Sequence, residues 1–320
     1  VELSFASTGF TYNDFTYNII DPTNKIVEVT SYLGSNASIE LLTEVVSPVD
    51  GETYAVEKIA DDAFNGSHIT AITIPLSIKT IGVTAFANCK NIEAISFPTS
   101  VETISNYAFF NCSNLKDVSF GDVKEIGVSA FEGCSSISVL DLPQNLSIIR
   151  NGAFADCASL TTLNIPRDLS MLYGNTFSGC EKIKEVTFSA FRCSTDGKAF
   201  AGSTEFTTLT ITDGVEWIPS HMFENCKYIT GVEIPNSVKH IREFAFNGCT
   251  DMATVALGDN VAIIDSCAFF ECSSIKSINF PALIERIGGE AFAYCESLPE
   301  ITIEPSGYAQ IGFSAFRGCY

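Results

Sequence analysis

Twelve cysteines and three histidines hold most of the reactive potential of this 320-residue chain. Regularly spaced thiols could bridge one another, bind metal or attack an electrophile. Ten of the twelve share one step along the chain: Cys89, Cys112, Cys134, Cys157, Cys180, Cys226, Cys249, Cys272, Cys295 and Cys319, with Ser67 and Ser203 in the two remaining places. No pair has the CxxC spacing of a metal knuckle or redox site. If the step reflects stacked coils, neighbouring thiols point the same way about 4.8 Å apart. A disulfide wants β-carbons about 3.5–4.5 Å apart on converging vectors. The column therefore reads as free thiols, small buried hydrophobes with weak S–H donors. Cys193 and Cys267 lie off the column, about three coils apart, too far to bridge each other. His68, His221 and His240 each fall at a different phase of the step, so no Ser–His–acid or Cys–His set converges. Neither a glycine-rich phosphate loop nor an Asp-x-Asp-x-Asp-Gly calcium loop is present. The expectation is a protein that is not an enzyme, with no catalytic residue, no metal and no cofactor.

The elements that place these thiols follow from the same step. Phe64, Phe86, Phe109, Phe131, Phe154, Phe177, Phe200, Phe223, Phe246, Phe269, Phe292 and Phe316 recur every 22 to 24 residues. An aliphatic residue sits five places before each Phe, except at Thr195. After each Cys comes apolar-x-x-apolar-x-apolar, as in Leu160, Leu163 and Ile165 before Pro166. The final pair, two residues apart, is the period of a strand with one buried face. A second short strand follows, as at Val238-Lys239-His240-Ile241. The stretch ending Ala-Phe-x-x-Cys is too short for a full helix and reads as one helical or 3₁₀ turn. A unit of 23 residues cannot bury its apolar marks alone, so the units must stack on one another. The fold class expected is an α/β leucine-rich-repeat solenoid, a β-dominated right-handed coil of about twelve repeats spanning roughly 55 Å.

Ala108-Phe109-Phe110-Asn111-Cys112 and Ile234-Pro235-Asn236-Ser237-Val238, repeated in phase over about residues 56–320, resemble the BspA-like family of leucine-rich repeats. The resemblance departs from the better-known leucine-rich pattern, because here Cys precedes the strand and Pro, Gly or Ser tends to follow it. It implies a bacterial or protozoan surface protein of adhesin type.

Residues 1–55 do not repeat and are rich in aromatics, including Phe5, Phe10, Phe15, Tyr17, Tyr32 and Tyr54. Ile26–Thr30 alternates as a strand, another lies near Ile39–Leu42, and Asp50-Gly51 marks a hairpin turn. We read 1–55 as an N-terminal β-rich cap over the open edge of the solenoid, which occupies 56–320. Repeat seven is irregular: Ser203, Thr195 and Thr212 replace its Cys, aliphatic and Pro, and Ser189–Gly197 reads as a rebuilt loop. The last repeat stops before its strand without a polar cap, which raises the expectation of end-to-end self-association there.

Composition sets the partner class. Hydrophobic residues make up 46% and charged residues 18%, the balance of a folded chain. The net charge of −20 excludes a phosphate-backbone footprint and hence nucleic acid, and no apolar run is long enough to insert into a membrane. No leader is visible, so any signal segment has been removed. Strand positions flanking the middle apolar mark should face away from the core; of 22 such positions ten are Ser or Thr, five are acidic and none is basic or aromatic. Asp117, Asp141, Glu185, Thr187, Thr210, Glu233 and Glu300 are the candidate ligand-binding residues of this face. Without aromatics it suits a protein better than a bare sugar, and a basic partner best. The function expected is a non-enzymatic cell-surface or secreted binding module, engaging a protein or glycoprotein ligand that belongs to the host's extracellular surface. The alternative is a structural spacer within a larger surface protein. Six further aromatics, Tyr107, Tyr173, Trp217, Tyr228, Phe244 and Tyr294, are candidates for exposure elsewhere.

Overall fold

The computed structural model describes residues 9–299, 301, 303 and 309–320. Most coils contribute two short strands, and like strands pair in parallel between neighbouring coils, the second strands in long runs and the first strands in shorter ones. One coil supplies Ala94–Ser96 and Thr103–Ile104, the next Asp117–Ser119 and Glu125–Ile126. Register follows the sequence step: Ile95 faces Val118 and Ile104 faces Ile126. The twelve Phe marks enclose eleven complete coils.

The core is built of columns of side chains that repeat from coil to coil. Phe86, Phe109, Phe131 and Phe154 are fully buried, with successive ring centroids 4.9, 5.2 and 5.3 Å apart and nearly parallel. Offset stacking of this kind adds about 0.5–1.5 kcal/mol per pair beyond area burial. The aliphatic marks Ile81, Ile104, Ile126 and Ile149 are also fully buried.

The α/β expectation is corrected: among the described residues there is no helix. The Ala-Phe-x-x-Cys stretch forms linked turns, Ala85 N–H to Gly82 C=O, Ala87 N–H to Thr84 C=O and Cys89 N–H to Phe86 C=O. The alternate donors leave the coil altogether. Thr84, Phe86 and Asn88 N–H bond to the carbonyls of Asn106, Ala108 and Phe110 in the next coil. Backbone geometry enforces the alternation, because the residues two before and two after the ladder Phe are left-handed, as at Thr84 (φ 54°) and Asn88 (φ 59°), with Lys198 before Phe200 the exception. Left-handed residues cannot continue a right-handed helix. This also explains the Gly and Asn at the second of these places, Gly133, Gly179 and Asn225 among them.

Glu271 occupies that place at φ 58° with its side chain exposed. A left-handed L-residue costs about 1–2 kcal/mol, partly offset by the flexibility that glycine adds to the unfolded chain. Glu271→Gly is therefore expected to stabilise the protein by up to about 1 kcal/mol. A urea midpoint that moved down would contradict it.

At the N-terminal end, β1 (Gly9–Tyr12), β2 (Phe15–Asp21) and β3 (Ile26–Tyr32) form an antiparallel meander. Next come β4 (Ser38–Glu40), β5 (Glu44–Val46) and β6 (Thr53–Ile59), the last two a hairpin turning at Gly51 (φ 75°). β3 pairs in parallel with β6, and β6 with Thr80–Ile81, so the meander is continuous with the second-strand sheet. β4 pairs with Ala71–Thr73, the first strand of the following coil.

The second-strand sheet stops at Ser194–Thr195 and resumes at Trp217–Ile218. The cause is Pro219. At this place Gly127, Arg150 and Arg242 donate N–H to the preceding coil's Ile carbonyl at 2.8, 2.9 and 3.1 Å, and proline has no N–H to give. Side chains supply bonds across the gap: the Trp217 indole N–H donates to the Cys193 carbonyl (2.5 Å), and the Thr195 hydroxyl donates to the Ser220 carbonyl. The first strands of the same two coils stay paired, Glu185–Phe188 with Thr208–Ile211, where that sheet in turn ends.

Candidate functional site

The first strands present alternate side chains to the core and the flanking ones to solvent. In Thr208–Ile211, Leu209 and Ile211 are buried while Thr208 and Thr210 are exposed. Parallel pairing in register turns each flanking place into a row across the coils. Thr162 faces Glu185, which faces Thr208; Asn164 faces Thr187, which faces Thr210.

This face holds two grooves. One, about 650 Å³, is lined by Ala94, Ser96, Asp117, Ser119, Val139 and Asp141 among others. The second, about 560 Å³, is lined by Thr208, Thr210, Gly231, Glu233, Thr254 and Ala256 among others. Two of the sequence-derived candidates, Asp117 and Asp141, thus share the first groove. Thr210 and Glu233 share the second. Glu185 and Thr187 lie on the strand Glu185–Phe188 outside either groove lining, Glu185 exposed and Thr187 half-buried. Glu300 lies outside the described residues. Among the described residues, Asp117, Asp141, Glu185 and Glu233 form no ion pair, so their charges face solvent uncompensated.

Reading only the strand positions missed a third row. Lys116 and Ser138 in the first groove, and Thr207 and Thr230 in the second, sit just before their strands. The signal was the same 23-residue step taken one place earlier. Lys116 is drawn to Glu93 at 3.3 Å, both largely exposed, a contact of little stabilising value.

The thiol column faces the opposite way. Cys89, Cys112 and Cys180 donate S–H to the carbonyls of Phe64, Phe86 and Phe154 in earlier coils, at 2.9, 3.0 and 3.1 Å. Burial pushes the Cys89 and Cys295 thiols up to about 12, which keeps them protonated and unreactive. All twelve cysteines are free. The histidines do not meet: His221 contacts Glu224 (2.6 Å), His240 contacts Asp265 (2.5 Å), and His68 lies beside Tyr32. Among the described residues no group of three His, Cys, Asp or Glu could hold a metal ion, and no helix is long and apolar enough to cross a membrane.

Comparison with known proteins places these features in a family. The model described as BspA type leucine rich repeat region matches in six copies, over residues 57–184, 117–230 and 194–320. A leucine-rich repeat protein from Bacteroides ovatus is 27% identical, with 97% of this chain and 92% of that chain covered and a TM-score of 0.59. A leucine rich cell surface protein from Faecalibacterium prausnitzii is 23% identical (97% and 86% covered, TM-score 0.47). The pneumococcal vaccine antigen PcpA is 17% identical (97% and 79% covered, TM-score 0.42). No curated protein shows significant similarity to the chain.

Proposed function

The chain belongs to the BspA-type leucine-rich repeat family, and from that membership we propose that it is a non-enzymatic binding module, displayed at a cell surface or secreted, whose first-strand face engages a protein or glycoprotein. Repeats of this family are generally protein-interaction modules of bacterial surface proteins. The observation that carries the reading is the set of unpaired carboxylates on the two flanking rows, Asp117 and Glu185 on one and Asp141 and Glu233 on the other, of which Asp117, Asp141 and Glu233 line the two grooves. Acidic groups without internal partners on a rigid sheet favour a basic ligand and raise its association rate. Residues 1–55 act in this reading as the end cap. The pairing of β3 with β6, which covers the first full coil, supports that role.

The test is capture of solubilised host extracellular glycoproteins by the purified protein across a salt series. Binding is expected to saturate and to weaken with salt. Replacing Asp117 and Asp141 by Asn, and Glu233 by Gln, is expected to weaken it at least about tenfold while shifting stability by less than about 0.5 kcal/mol, because these side chains are exposed. A folded, monodisperse protein that captures nothing would favour a spacer role in a larger surface assembly.

A further inference from the structure

Around the interruption at Pro219, arginines and aromatic rings from neighbouring coils gather into one cluster. Three cation–π contacts fall there: the Arg192 guanidinium lies 5.1 Å from the Phe191 ring and 5.5 Å from the Trp217 ring, and the Arg242 guanidinium lies 4.3 Å from the Trp217 ring. These residues come from three successive coils. Trp217 is anchored by its indole bond to Cys193 and by strand pairing with His240. Phe191 is 43% exposed, although it belongs to an Ala-Phe pair like those of the buried column.

The charge here is reversed relative to the molecule. On a chain of net charge −20, Arg192 and Lys239 share one carboxylate, Glu216, and Arg242 lies over the ring of the adjoining Trp217. Arg192 and Lys239 both fall on Glu216. Arg242 forms no ion pair among the described residues, so its fork of donors is stacked, oriented and unspent.

We propose that Trp217, Arg242, Arg192 and Phe191 form a second docking surface, distinct from the acidic first-strand face, for an acidic polypeptide segment. A partner carboxylate takes the Arg242 guanidinium and a neighbouring aromatic or aliphatic side chain lies against Phe191. The side-chain types are those that dominate protein interfaces, Trp and Arg above all. A guanidinium already immobilised on an indole loses little further freedom when it binds, which is the gain from preorganisation. Charge complementarity selects the acidic partner. The competing explanation is a purely structural staple, in which the stack only ties together three coils that lack a continuous ladder.

Trp217 is the only tryptophan of the chain, so its emission reports on this place alone. The experiment titrates the full protein with a random glutamate–tyrosine copolymer, with selective tryptophan excitation, at low and high salt. A lysine–tyrosine copolymer and heparin serve as comparison ligands. Expected is a saturable change of emission with the glutamate–tyrosine copolymer, weakened by salt, with no such change for the lysine–tyrosine copolymer. Arg242→Glu is expected to weaken the binding at least tenfold with an unchanged thermal transition, and Arg242→Lys to lie between. Trp217→Phe, followed by anisotropy of labelled copolymer, keeps the ring and retains most of the affinity. Any of three outcomes overturns the proposal: an emission unaltered by the acidic copolymer, an Arg242→Glu protein that binds it as tightly as wild type, or heparin bound in preference to it, which would make the surface a polysaccharide site. A structural staple would show as a lowered transition in Arg242→Glu without any copolymer binding in wild type.

Discussion

Raised through about pH 9–10, the protein is expected to unfold cooperatively, driven by its buried thiols. Cys89, Cys112, Cys157, Cys193, Cys226, Cys249, Cys272 and Cys295 are at most 1% exposed, and burial or a neighbouring thiol raises each above the ordinary thiol value. An unfolded thiol ionises near about pH 8.5. Below that value both states hold the proton and stability is whole. Above it the unfolded chain releases protons that the folded chain keeps, so stability falls as pH rises. Each buried thiol removes about 1.4 kcal/mol per pH unit once the unfolded thiols are ionised, so the eight together remove roughly 11 kcal/mol per unit. A domain stability of about 5–15 kcal/mol is then exhausted within one to two units. Circular dichroism along a pH series checks this, and Cys157→Ser and Cys249→Ser should each move the transition upward. Retention of structure past about pH 11 would contradict the thiol account. The same burial predicts slow thiol labelling at neutral pH, led by the half-exposed Cys267 and Cys319, and labelling of all twelve after unfolding without reductant.

Phe154→Ala is expected to destabilise the protein by about 3–5 kcal/mol, the usual cost of emptying a buried phenylalanine site. Phe154 is fully buried, stacked between Phe131 and Phe177 at 5.3 and 5.8 Å and met edge-on by Phe120. Neighbouring coils cannot close the gap, because their spacing is held by strand pairing and by the turn-to-turn bonds of Phe154 and Asp156 N–H to the next coil. In a solenoid the damaged interface also uncouples the coils on either side, so the urea transition is expected to broaden or divide. Phe191→Ala is the internal control: its ring is exposed and outside the column, and a change under about 1 kcal/mol is expected. Equal losses at the two positions would refute the column as the seat of stability.

The repeat could be read from the chain because its physics is periodic. Phe, Cys and aliphatic residues at fixed phase can be buried only by stacking, and stacking in turn places Asp117, Glu185 and Glu233 at exposed positions of first strands. What the sequence pattern misjudged was the turn layer. Ala-Phe-x-x-Cys has the composition of a helical turn, yet every second N–H serves the next coil, and a bond between coils leaves no mark on the composition of either. Likewise Lys116 and Thr207 reach the grooves from just outside their strands, where alternation no longer applies.

The irregular coil divides the two sources of information most sharply. Thr195, Ser203 and Thr212 mark it in the sequence as one weakened unit. That the second-strand sheet opens at Pro219, and that Phe191, Arg192, Trp217 and Arg242 then meet across three coils, depended on the folded chain. Periodic burial is a one-dimensional property, and so the sequence alone determined the solenoid, its free thiols and its acidic face. Contacts between residues about 25 places apart depend on which ladder bonds are absent and which side chains fill the gap, and that is decided only when the coils lie side by side.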